Sequence, residues 1–177
     1  MTLTINQIRA IKSDAELLDR LLDELKRCFP PEVRGDSTVF VSRLQNAPAG
    51  LRAMAATYDL DVSMALDDLA WHFINHHESL ELAEETVSGL RELESPEAAK
   101  IFQEALVIIK PYWQELQSDR QSKAAHEWLD STGIQASMNP LSDGMWNYLK
   151  QFPDRSFFSL WLAYARKYPD RCVPTVD

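Results

Sequence analysis

Residues 80–109 read LELAEETVSGLRELESPEAAKIFQEALVII, and the spacing of their apolar side chains decides the fold. Leu80, Ala83, Val87 and Leu90 recur at three and four positions, the period that gathers side chains on one side of an α-helix. Ser95 and Pro96 suit the cap and first position of a second helix, in which Ala98, Ile101, Phe102, Ala105, Ile108 and Ile109 repeat the pattern. Gly is scarce at five residues, and alternating β-branched runs are nearly absent. The expected fold is all-α, a single compact multi-helix domain of about seven to nine helices.

Working outward, Ser13 and Glu16 form a capping-box pattern that opens a helix through Leu17, Leu18, Leu21, Leu22 and Leu25 to Cys28. Pro30 and Pro31 stop it. A short helix is expected over residues 38–44, and Pro48 suits the first turn of a helix running toward Tyr58. A further helix is expected over residues 63–74, with Asn75 at the junction before the 80–93 helix. On the other side, Pro111 should end or kink the second quoted helix. Residues 117–123 form a polar linker candidate, 124–129 a short helix, and 132–141 a loop punctuated by Gly133 and Pro140. Helices over residues 143–151 and 155–167 close the chain.

A chain of 177 residues with 45% apolar content can bury roughly 70% of its unfolded surface in one unit. No apolar run reaches the roughly 18 residues of a membrane span. The first ten residues lack a signal-peptide pattern, because Asn6, Gln7 and Arg9 interrupt them, so a cytoplasmic location is expected. Cys28 and Cys172 lie too far apart for a metal or redox spacing and read as free thiols.

The charge is unevenly placed. Between Asp59 and Glu104 stand twelve acids and two bases, Arg91 and Lys100, a local balance of −10, while the rest of the chain holds fifteen acids and sixteen Lys and Arg. Such an asymmetry bears on partners rather than on fold, favouring a basic protein and disfavouring nucleic acid. On a helical wheel Glu81, Glu84, Glu85, Ser88 and Glu92 share one arc, opposite the apolar stripe. The rise from Glu81 to Glu92 is about 16 Å, so the four charges are spaced roughly like phosphates on one DNA strand. Clustering them costs a few tenths of a kcal/mol per pair in water, which asks for a reason. A solvated face is the plain one, and Glu78, Glu81 and Glu97 near helix starts and Asp61 as a cap for the next helix have ordinary explanations. An internal partner is another, because Arg155, Arg166, Lys167 and Arg171 give the C-terminal region the opposite sign.

Asp68, His72 and His76, spaced by four along one helical face, are the best metal candidate, with His77 beside them. A site would need another ligand from a second helix, and His126 is the remaining histidine. No Gly-rich phosphate loop or nucleophile motif is present, and adjacent Asp67 and Asp68 would diverge by about 100° on a helix, a poor acid and base dyad. No catalytic residue, and no cofactor, is therefore assigned. The aromatic run from Trp146 to Tyr164 has the spacing of a core stripe.

The stretch WHFINHHESLELAEETVSGLRELESPEAAKIFQEALVII, residues 71–109, resembles the central signature of a bacterial family of unknown-function domains that includes a dimeric DNA-mimic protein. Phe73 and Asn75 match the family's aromatic helix end, residues 82–90 its first helix and 98–105 its second, and residues 143–168 are similar to its aromatic closing stretch. The family-like core would be residues 48–168, with residues 1–47 as a helical extension of one 1–177 domain. Where the family usually has an Asn-Gly-Gly step, this chain has SMALDD at residues 63–68, which implies a more continuous helix there. The resemblance implies an all-helical domain, homodimeric in form, whose acids stand where DNA phosphates would.

Together these readings give a non-enzymatic interaction protein that presents Asp67, Asp68, Glu81, Glu84, Glu85 and Glu92 to a basic protein, with DNA mimicry as one form of that role. The alternatives are a metal-dependent enzyme built on Asp68, His72 and His76, and an immunity-type protein that neutralises a toxin.

Overall fold

The helix quoted above becomes α7 (Leu80–Glu92), which lies along α5 (Ala49–Leu66), and this pair forms the partition about which the molecule is built. The computed structural model describes residues 2–76, 79–118 and 122–174. His77 and Glu78 lie outside the described residues, as does part of the 117–123 linker candidate.

Ahead of the partition come α1 (Ile5–Ala10), α2 (Asp14–Cys28), α3 (Pro31–Arg34) and α4 (Ser37–Gln45); between its two helices sits α6 (Leu69–His76). Behind it follow α8 (Pro96–Ile109), α9 (Trp113–Ser118), α10 (Ser122–Thr132), α11 (Ile134–Leu149) and α12 (Phe158–Lys167). No strand occurs among the described residues, and nine of the helices are at least seven residues long.

Two apolar clusters flank the partition. On one side Leu60, Phe73, Val87, Phe102, Met138 and Phe157 join the second half of α5 to α6, α8, α10 and α11. On the other, Ile8, Leu17, Leu21, Leu44, Met54 and Trp161 join its first half to α1, α2, α4 and α12. The N-terminal helices are therefore part of a shared core. Arg166 of α12 ties them down by donating to the Ile11 and Lys12 carbonyls.

Several local signals act as their chemistry suggests. Ser13 Oγ accepts the Glu16 amide at the start of α2, Asp36 caps α4 through the amides of Thr38 and Val39, and Ser79 caps α7 through Leu82. Pro111 ends α8 in a 3-10 turn, Lys110–Tyr112. Trp161, Phe157 and Tyr164 are buried as a core stripe should be, though Trp146 is 37% exposed.

Three expectations are corrected. The helix expected over 63–74 is broken: α5 ends at Leu66, Asp67 takes φ −143° and ψ −148°, and α6 begins at Leu69. Asp68 explains the restart, since its Oδ1 accepts the Trp71 amide at 3.0 Å, the bond of an N-cap three positions on. The 132–141 segment is not a loop. Gly133, at φ 70°, starts α11, which runs through Pro140 to Leu149; the ring removes one helical hydrogen bond without ending the helix. Asp61 does not cap the following helix but lies buried in α5, where its Oδ1 accepts Ser156 Oγ and the Phe157 amide, both at 2.6 Å.

Candidate acidic surface

Because it fills the partition, α7 has two inward faces. Ala83, Val87 and Leu90 point into one cluster, while Leu82, Thr86 and Gly89 press against α5. The approach to α5 is close. A Cβ on Gly89 would stand 3.1 Å from the Ala53 carbonyl oxygen and 3.2 Å from its Cα, and Thr86 Oγ1 donates to the Ala56 carbonyl at 2.8 Å. The outward strip is narrow: Glu81, Glu84, Ser88 and Arg91.

Glu85 lies between Leu82 and Gly89 on the α5 side and is 7% exposed. Arg52 of α5 holds it with a fork, Nε to Oε2 at 2.7 Å and Nη2 to Oε1 at 2.6 Å. That hydrogen bonding pushes the Arg52 guanidinium further up, keeping it charged. Glu92, at the last turn, is half-buried and accepts Arg171 Nη1 at 2.8 Å and the Tyr164 hydroxyl. Burial, and then the Glu92 hydrogen bond, push the Tyr164 hydroxyl well above the usual tyrosine range. Two of the six expected binding residues, Glu85 and Glu92, therefore belong to the fold. A cleft of about 250 Å³ opens beside them, walled by Ala47, Ala49, Arg52, Ala53, Ser88, Gly89 and Glu92.

The internal-partner expectation is met for two of its four cations, Lys167 and Arg171, whereas Arg166 turns to Asp14, outside the acidic segment, and Arg155 makes no ion pair with an acid among the described residues. Lys167 Nζ donates to both oxygens of Glu94 at 2.7 and 2.8 Å, and Arg171 meets Glu92. Asp59 pairs with Arg34 at 2.8 Å.

The remaining four expected residues differ among themselves. Glu81 and Asp67 are exposed and meet no cation among the described residues. Glu84 is exposed, with Lys110 Nζ 3.5 Å away. Asp68 is half-buried and committed at both oxygens, Oδ1 to the Trp71 amide and Oδ2 to Gln135 Nε2 at 2.8 Å.

That commitment bears on the metal candidate. His72 is buried, with Nδ1 2.8 Å from Ser63 Oγ and its ring edge-on to Phe73 and Phe102. Ser63 Oγ also lies 2.8 Å from the Asp59 carbonyl oxygen, so the hydroxyl links the His72 ring to the α5 backbone. His76 stacks on His72 at 5.6 Å between ring centroids, and His126 packs instead against Trp71 at 4.5 Å. The spacing of four does bring the two rings together, but as a stack. Among the described residues no group of three or more His, Cys, Asp or Glu is arranged to hold a metal.

The periodicity reading did not find Arg52 or Leu66, and it counted Trp146 in the core stripe, although its side chain is exposed. Leu66 is 80% exposed at the end of α5. No local signal marks Arg52 as the partner of a glutamate 33 residues away. The break beside Leu66 did have one: Asp68 and Trp71 stand at cap spacing.

No protein-family model matches the chain, and neither does any curated protein or solved structure. Among the described residues no helix is long and apolar enough to cross a membrane.

Proposed function

We propose that the chain is a non-catalytic binding protein that meets a basic protein partner through Asp67, Glu81 and Glu84. The observation that carries this reading is the sorting of the acids. Every internal ion pair removes one charge of each sign, so the net −9 stays on carboxylates that no cation answers. Glu81 and Glu84 point outward from a helix whose other faces are fully occupied, and Asp67 sits exposed in the break between α5 and α6. Asp67 and Glu81 meet no cation among the described residues, and Glu84 meets only the loose, equally exposed ammonium of Lys110; in a fold that pairs Glu85, Glu92 and Glu94, such acids suit an external basic surface.

The encounter would occur in the cytoplasm. DNA mimicry is one form of this role and toxin neutralisation another, and the same surface serves both. A homodimer would double it. The identity of the captured partner separates these forms.

The test is capture from a lysate at low salt, with the bound protein released as salt rises. The triple substitution Asp67→Asn, Glu81→Gln and Glu84→Gln should lose the partner while leaving the fold intact. Capture that is unchanged in this variant, or insensitive to salt, would overturn the proposal.

A further inference from the structure

Three exposed side chains gather at the break between α5 and α6, two by chain position and one by a hydrogen bond to the end of α5. Leu66, 80% exposed, ends α5; Asp67 follows it, exposed; and Trp146 of α11, 37% exposed, reaches across to donate its Nε1–H to the Met64 carbonyl at 3.0 Å. The register of α11 against this junction is fixed by two further bonds, Gln135 Nε2 to Asp68 and the Leu69 amide to Ser142 Oγ at 3.2 Å. Asp143 lies one turn before Trp146 on the same helix, exposed, and is the only charged residue of α11. A single exposed leucine needs no explanation, but one that stands two residues after the carbonyl to which a half-exposed tryptophan is bonded, the indole's polar edge thereby satisfied, is less ordinary. The indole is held in place, so contact with a partner would cost little further ordering.

We infer that Leu66 and Trp146 form the apolar centre of a docking surface for a basic amphipathic segment of a partner protein. One apolar side chain of that segment covers the leucine and the indole, and flanking Lys or Arg residues meet Asp67 and Asp143. The charge argues for a basic occupant. Two carboxylates without a cation partner among the described residues border the patch, and the carbonyl end of α5 adds the negative end of its dipole at the same place. Lys150, just beyond α11, turns its ammonium to Asn147 Oδ1 at 2.9 Å. The inference rests on the basic-partner reading above and gives it an anchor that the acids alone lack.

The probe is a synthetic 14-residue amphipathic helix of Lys and Leu, compared with a peptide of equal charge in which Ser replaces Leu. The readout is the Trp146 indole N–H resonance of the full chain, identified by its loss in Trp146→Phe. The Lys/Leu peptide should shift that resonance saturably and bind at least tenfold more tightly than the Lys/Ser peptide. Leu66→Ser, at a site exposed enough to tolerate it, should weaken binding at least fivefold, and Asp67→Asn with Asp143→Asn should remove most of its salt dependence. An unmoved Trp146 resonance, or equal affinity in Leu66→Ser, overturns the inference. If binding instead depends on Glu81 and Glu84 and not on Leu66, the basic-partner reading survives and this surface fails. Should the resonance move with protein concentration alone, the occupant is a second copy of the chain, and the inference is likewise overturned.

Discussion

Arg52 and Glu85 face each other across the α5 to α7 seam with both hydrogen bonds of a guanidinium fork made, at 2.7 and 2.6 Å. The arrangement is unequal: the glutamate side chain is 9% exposed and the arginine 36%. Removing the cation strands a buried carboxylate, whereas removing the carboxylate leaves an arginine that can turn to water. Arg52→Ala should therefore cost about 1–3 kcal/mol and Glu85→Ala about 1 kcal/mol or less, after allowing for solvent at the arginine. Urea denaturation of the two variants checks the order, and equal losses would contradict it.

The glycines offer a graded series. A Cβ at position 50 would stand 2.6 Å from Cys172 Sγ and 2.8 Å from the Arg171 carbonyl oxygen, and one at position 89 would meet Ala53 backbone at 3.1 Å. At position 144 the nearest atom is Ile101 Cδ1 at 3.6 Å, an ordinary contact. Gly50→Ala and Gly89→Ala should each cost about 1–3 kcal/mol, with Gly50→Ala the larger. Gly144→Ala should gain up to about 1 kcal/mol, because Ala is the better helix former. Thermal midpoints of the three variants suffice to rank them.

Two buried acids should respond to pH in opposite directions. Burial pushes the Asp61 carboxyl above the usual range, although Ser156 and the Phe157 amide oppose the shift. The folded state then holds the proton more tightly than the unfolded one, so Asp61 costs stability as pH rises through the interval above about 3.9. Asp61→Asn keeps an oxygen for both donors, and it should be at least as stable as wild type at pH 7, with its advantage shrinking toward pH 4. Glu24 is the converse. Burial raises its carboxyl, but hydrogen bonds from Arg27 and the Leu3 amide, with the Arg27 charge, outweigh that and leave it lowered. Its contribution is present above about pH 4.3 and lost as pH falls through the lowered folded value, so wild type should lose its margin over Glu24→Gln on acidification. Denaturation midpoints from pH 3 to 7 read both signs.

The thiols should also differ. Cys172 is fully buried and its thiol is pushed up to about 12, first by burial and then by Asp170; Cys28 is half-buried and raised by burial. Thiolate is the reactive form, so the native protein at pH 8 should label slowly at Cys28 and negligibly at Cys172, and both should label when unfolded. Rapid labelling of Cys172 in the native state would mean that the turn Pro169–Cys172 opens.

The helical class, the caps at Ser13 and Ser79, the break at Pro111 and the apolar stripe of α7 follow from interactions within a few residues, and the sequence by itself determined them. Periodicity read one apolar face of α7 and assigned its acids to solvent. The structure gave that helix a second buried face, because α5 packs on the side of Leu82, Thr86 and Gly89, and Glu85 was carried inside with them. Glu92 was likewise claimed by Arg171 and Tyr164, residues more than 70 positions away. Local spacing fixes which residues share a face, since helix geometry is set by neighbours along the chain. Which face meets water, and which carboxylate meets a cation, depends on segments distant in sequence, so only the tertiary structure decided that Asp67, Glu81 and Glu84 stay exposed while Glu85 is buried against Arg52.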